Sequence, residues 1–312
     1  MSEQIQQSGP PFASHVAGMG GVPSTVPDIP ISAVLMAIYL GFAVTNMTIL
    51  QVNRKRGHKF AMSGMLFGFC MARTTTLVLR IVWALHQHNV RLAIAANIFV
   101  NAGILLVYII NLIFAQRLLR AKQPTVGWHP SISIVLKIFY SLIAVALVCV
   151  ITSVVLGSYT LDTHIQQQCR DIQLAAVTYL LVFTSLPIWL LLIAHVLLPR
   201  HADEELFGQG SMRAKVIIVL LATCLCVLIA GFKAGVTWSP PRPVTDPAWY
   251  HSKAAFYCFN FVLEIIALAL LTLSRVDKRF HIPNGSNKAG DYSNRNKQLV
   301  SDKDAPSDGN TV

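Results

Sequence analysis

Seven apolar blocks, each long enough to cross a bilayer, constrain this chain more than any other feature: residues 31–52, 60–85, 92–115, 132–156, 172–198, 216–236 and 254–273. About 20 residues at ~1.5 Å rise traverse a hydrocarbon layer of ~30 Å as a helix. Each block is far longer than the ~10 residues of a spanning strand, and none alternates apolar with polar. The expected fold is therefore all-α, a seven-transmembrane helix bundle. Composition agrees: 12% of residues are charged, about half the share typical of a soluble domain. The first block has no basic segment before it and is full length, so it is expected to act as the targeting signal rather than a cleaved peptide.

The net charge is +11. In a soluble protein that would point to nucleic acid, but here its placement excludes that partner. Arg54, Lys55, Arg56 and Lys59 lie in the first connection. Arg117, Arg120 and Lys122 lie in the third, Arg200, Arg213 and Lys215 in the fifth, and Arg275, Lys278 and Arg279 follow the last block. The alternate connections hold only Arg91, Arg170, Arg242 and Lys253. Positive residues favour the cytoplasmic side, so the N-terminus is expected outside and the C-terminus in the cytoplasm. Arg54, Lys55 and Arg56 are expected to touch anionic membrane lipids or to dock a cytosolic partner. The expected organisation is a flexible extracellular tail (1–30), the membrane domain (31–274) and a largely disordered cytoplasmic tail (275–312). Plasma membrane is the expected location. Cys169 alone falls in an outer loop and the other five cysteines in helices, so no disulfide framework is expected.

The second block carries two permanent charges, Arg73 and Arg80. An arginine at mid-membrane costs at least ~2.5 kcal/mol, so it should face the interior and seek a partner. Seven residues at 100° each return to nearly one face. Counting rises from residue 60 puts Arg73 about 20 Å deep and Arg80 near the outer boundary, where it can snorkel. Glu264 is the one acid deep inside a block, about 15 Å from that same cytoplasmic side. The depths match, and an Arg73–Glu264 ion pair is expected between the second and seventh helices.

Polar seams run along three helices. The first carries Ser32, Tyr39, Asn46 and Asn53 at seven-residue steps, and the seventh has Tyr257, Asn260 and Glu264 on one face. In the third, Asn97, Asn101, Tyr108 and Asn111 fall within an arc of about 80°. Together they suggest a polar cavity. The candidate ligand-binding or switch residues are thus Arg73, Arg80, Glu264, Asn260, Tyr257, Asn97 and Asn101. Lys137 and Lys233 lie near helix ends and are expected to snorkel. No nucleotide motif, no metal-spaced histidine pair and no mid-depth lysine on the seventh helix is present, so neither catalysis nor a cofactor or metal is expected.

The stretches ILQVNRKRGHKF, LFGFCMAR, NVRLAIAANIFV, INLIFAQR, DPAWYHSKAAFYCFNFVLEII and RVDKRFHIPNGS resemble a fungal family of seven-helix membrane proteins of unassigned function. That family is sometimes labelled family C-like G-protein-coupled receptor. The resemblance implies a receptor-like protein that senses a small molecule or lipid and signals to a G protein or another cytosolic partner. The last helix and following loop also resemble fungal lipid-translocating exporters, which implies a lipid or amphiphile translocator instead. A pocket closed toward the cytoplasm fits the first reading. A groove open sideways along the full depth fits the second.

Overall fold

The computed structural model describes residues 9–12, 14, 16–58, 60–197, 205–286 and 288–292. Seven helices in it are long and apolar enough to cross a membrane: Thr25–Lys55, Ala61–Leu85, Val90–Lys122, Pro130–Tyr159, Thr163–His195, Met212–Trp238 and Lys253–Leu273, here spans 1 to 7. Among the described residues no strand forms beyond one isolated bridge, Val16 to Pro243. The protein is an all-α, multi-pass membrane protein.

Local chemistry sets where the spans begin. Side chains of Asn89, Asp162, Ser211 and Ser252 each accept a backbone N–H of the first turn that follows, satisfying donors a helix start otherwise leaves bare. The Asp162 cap starts span 5 at Thr163, nine residues before the apolar block suggests. Cys169 is therefore buried inside a helix and not in an outer loop. All six cysteines are free thiols.

Span 3 is central: 61% of its most apolar window is buried, against 11% for span 4. Span 4 presents Ile134, Val135, Ile138, Leu142, Val145 and Val148 outward. Such an exposed apolar face on a helix of this length suits acyl chains. Span 1 lies along span 2 and also meets span 7.

Both ends of the bundle are closed by chain that the sequence assigns to flexible tails. At the N-terminal end, Ala17 N–H donates to the Arg242 carbonyl (2.8 Å) and Gly20 N–H to that of His251 (3.0 Å). Gly20 (φ 75°) sits where a Cβ would lie 2.6 Å from the Phe256 ring, so only glycine fits. Residues 16–24 thus form a packed cover, and helix starts at Thr25 rather than residue 31. At the C-terminal end, residues 276–286 and 288–292 form a strap. Phe280 stacks on Phe114 (centroids 4.3 Å apart) and contacts Phe207, and Glu205 accepts from the N–H groups of Gly290 (2.7 Å) and Tyr292 (2.9 Å). The remainder of the two expected tails, residues 1–8, 13, 15, 287 and 293–312, lies outside the described residues.

Two irregularities matter for the interior. Span 3 breaks at Gly103 and Ile104, between Val90–Ala102 and Leu105–Lys122. Span 7 contains a π-helical turn, Cys258–Val262, directly before Glu264. Such turns shift the register of side chains and carbonyls.

Candidate functional site

The polar seam of span 1 is matched by span 7 and the residues after it. Ser32 shares a hydrogen bond with the Tyr257 hydroxyl (3.1 Å), and Tyr39 donates to the Phe261 carbonyl (3.1 Å). Asn46 donates to the Thr272 hydroxyl (3.1 Å) and Asn53 to Asp277 (3.4 Å). The Phe261 carbonyl belongs to the π turn, whose altered register aims it at Tyr39. Burial pushes the Asp277 carboxyl up, but the Arg275 guanidinium and the Asn53 amide outweigh it and hold it below the usual range.

Arg73 and Glu264 meet at the middle of this seam. Nε and Nη2 of Arg73 each donate to one carboxylate oxygen at 2.5 Å, and both side chains are fully buried. This fork-to-fork geometry is the strongest form of the pair. Nη1 continues to the carbonyls of Val100 (2.9 Å) and Phe99 (3.3 Å), next to the break in span 3. Gly103 makes that approach possible, since a Cβ there would lie 3.2 Å from the Arg73 guanidinium carbon. The rings of Phe69 and Phe261 flank the cation at 5.6 and 5.7 Å.

Lys233 joins this core. It does not snorkel: its side chain is buried and Nζ turns inward to the Val100 carbonyl (3.3 Å). The Val100 carbonyl thus accepts from both Arg73 and Lys233. Lys137 is exposed on span 4.

Arg80 also turns inward. It is 3% exposed and donates to Asp28 (3.1 Å) and to the carbonyls of Gly20 (2.7 Å) and Gly21 (3.2 Å) beneath the cover. Asp28 is fully buried and also accepts from Lys253 (2.5 Å), Tyr257 (2.7 Å) and the Ser24 N–H (2.9 Å). Sequence reasoning missed Asp28 because it lies in a proline-rich stretch assigned to the tail. Its position three residues before the first apolar block places it at the depth expected for Arg80, and that was the available signal.

Asn260 and Tyr257 face this interior. Asn260 is fully buried, donates to the Phe256 carbonyl (3.0 Å), and its Oδ1 has no hydrogen-bond partner. Asn97 and Asn101 do not face it. Both are exposed, and Asn101 donates to the Asn97 carbonyl. The interruption at Gly103 and Ile104 divides the seam: Tyr108 and Asn111 after it are buried, while Asn97 and Asn101 before it are exposed. Arg54, Lys55 and Arg56 are exposed at the C-terminal end.

A protein-family model described as "Protein of unknown function (DUF3112)" matches residues 124–213 and 208–281, which together make up half of the chain. The chain belongs to the DUF3112 family. The matched stretch covers spans 4 to 7, and so includes Glu264, Lys233 and Asn260 but not Arg73, Arg80 or Asp28. Comparison with curated proteins and with solved structures gives no match.

Proposed function

We propose that this protein is a receptor-like membrane sensor of a small molecule or lipid. The ligand enters from the N-terminal end, shifts the Arg73–Glu264 region between two arrangements, and changes what the C-terminal end presents to a cytosolic partner. One observation carries this reading: the two fully buried carboxylates, Asp28 and Glu264, and the cations paired with them occupy the N-terminal and middle parts of the bundle, with a layer of aromatic side chains between them and the C-terminal end. Asp28, Arg80, Lys253 and Tyr257 lie under the cover, and Arg73, Glu264 and Lys233 lie below them. Beyond them Phe60, Phe114, Phe280 and Phe207 stack across the interior. A ligand that displaces the cover reaches the ionic core, and the aromatic layer stands beyond it. In this reading the N-terminus is outside, the partner docks near Arg54, Lys55 and Arg56, and the plasma membrane is the site of action.

The groove in the side of the bundle argues against translocation. It measures about 260 Å³ and is lined by Leu119, Leu136, Phe139, Leu186 and Leu190 among others, with Ser131 the one polar side chain. A headgroup would find no path there. Reconstitution in liposomes tests the choice. The sensor reading expects no movement of fluorescent phospholipid above protein-free liposomes. Transport that Glu264→Gln abolishes would replace the sensor with a translocator.

A further inference from the structure

A second, half-buried cluster lies at the C-terminal end, away from the ionic core, and it is made of donors. Arg117 donates to the Phe280 carbonyl (2.5 Å). Arg120, one turn on, lies over the Trp128 ring at 4.4 Å and donates to the Gly127 carbonyl (3.3 Å) and the Ser133 hydroxyl (3.4 Å). Tyr292 reaches in from the strap, its ring 5.6 Å from that of Trp128. Neither guanidinium has a carboxylate within 4 Å among the described residues. Glu205 is committed to the Gly290 and Tyr292 N–H groups.

Four buried atoms at this end lack a well-formed hydrogen bond, Trp128 Nε1, His281 Nε2 and the hydroxyls of Tyr140 and Tyr292, the last of which lies against the Arg120 guanidinium. The indole nitrogen can only donate, and each of the others can. Burial raises the Tyr292 hydroxyl, which keeps its proton, and lowers His281, which leaves its ring neutral near pH 7. Folded proteins seldom leave one such group bare. Four of them beside two arginines call for a shared acceptor with several oxygens.

We propose that Arg117, Arg120, Trp128, Tyr140, His281 and Tyr292 bind a phosphate monoester, either on a lipid headgroup or free in solution. A phosphate monoester is dianionic near neutral pH and offers three terminal oxygens in different directions, matching two guanidiniums and donors arriving from spans 3 and 4 and the strap. A carboxylate has two oxygens in one plane, and a halide has no directional demand. Spans 3 and 4 also line the apolar groove, through Leu119 beside Arg120 and through Leu136, which supplies a seat for an acyl chain on a headgroup-bearing ligand. Because His281 and Tyr292 belong to the strap, the ligand holds the strap against the bundle. This site stands independently of the sensor reading.

The test uses the full-length protein in phosphatidylcholine nanodiscs and follows its unfolding midpoint. One arm titrates inorganic phosphate; the other varies phosphatidylinositol 4-phosphate in the disc. A saturable rise with the lipid alone assigns a headgroup, and a rise with inorganic phosphate assigns the free anion. Arg120→Gln should weaken the responding probe roughly tenfold or more, a loss expected when a charge-assisted contact is removed. Tyr140→Phe removes one oxygen without disturbing packing and should weaken it less. The proposal is overturned if neither probe gives a saturable rise, if both variants respond as the unaltered protein does, or if phosphatidylglycerol, a phosphodiester, acts as well as the monoester lipid.

Discussion

Spans 1, 2 and 7 and spans 4 and 5 are all apolar enough to cross a membrane, yet they do opposite things. On the first side every turn or two of contact carries a polar pair: Ser32 with Tyr257, Tyr39 with Phe261, Arg73 with Glu264, Asn46 with Thr272. On the second, spans 4 and 5 meet through apolar and aromatic side chains, with Tyr179 donating to the Phe139 carbonyl (2.5 Å) as a lone polar tie. Lipid is as apolar as leucine, so burial of apolar surface does not drive helices together within a bilayer. Polar pairs make one register better than its neighbours, and an apolar face tolerates sliding. The contrast assigns specificity of register to the first side and support to the second.

The sharpest way to break that contrast is at the ion pair. Glu264→Ala leaves Arg73 buried without its carboxylate and should cost about 3–5 kcal/mol, read as a large drop in the unfolding midpoint in detergent. The double variant Arg73→Met with Glu264→Leu should recover most of that loss. If Glu264→Ala proves nearly neutral, the pair does not organise the bundle. Asp28→Asn should come next, at about 1–3 kcal/mol, because Arg80 and Lys253 lose their shared anion. Its effect should appear first as faster hydrogen exchange at Gly20 and Gly21 in the cover. Unchanged exchange there would mean that Arg80 holds the cover through the carbonyls alone.

Smaller effects sharpen the same comparison. Tyr39→Phe or Asn46→Leu should each cost about 0.6 kcal/mol, the average for a hydrogen bond between membrane helices. Val148→Leu on the exposed face of span 4 should stay within ±0.5 kcal/mol. Comparable losses on both sides would remove the distinction.

The last effect concerns pH. Burial, with His58 and Arg117 nearby, holds His281 below its ordinary value of 6.5. The unfolded chain then takes up this proton first as pH falls. His281's contribution is present above pH 6.5 and is lost between 6.5 and its lower folded value. His281→Asn should flatten that dependence in a pH series of unfolding midpoints.

Much of this was legible in the sequence because depth within a membrane is countable. Seven apolar blocks gave the spans, and similar depths counted from one membrane face put Arg73 and Glu264 near one level. The seven-residue spacing of Ser32, Tyr39, Asn46 and Asn53 read correctly because span 1 keeps a regular register along that face. The same arithmetic failed for Asn97 and Asn101, since the half of span 3 before Gly103 is little covered by its neighbours, and only Ala96 and Val100 are buried there. Asp28 and the phosphate cluster were hidden for another reason. Their partners come from the cover, short connections and the strap, where no periodicity links residues that meet in space.

The central claim is that the Arg73–Glu264 pair holds the bundle in one of two arrangements. Spin labels at Arg56→Cys and Gln209→Cys, both exposed at the C-terminal end, report it most directly in a background with the native cysteines replaced. Pulsed electron resonance would compare this protein with its Glu264→Gln form in nanodiscs. The account predicts a second distance population, or a marked shift between two, when the carboxylate is neutralised. A single unchanged distribution in a folded Glu264→Gln protein would contradict it.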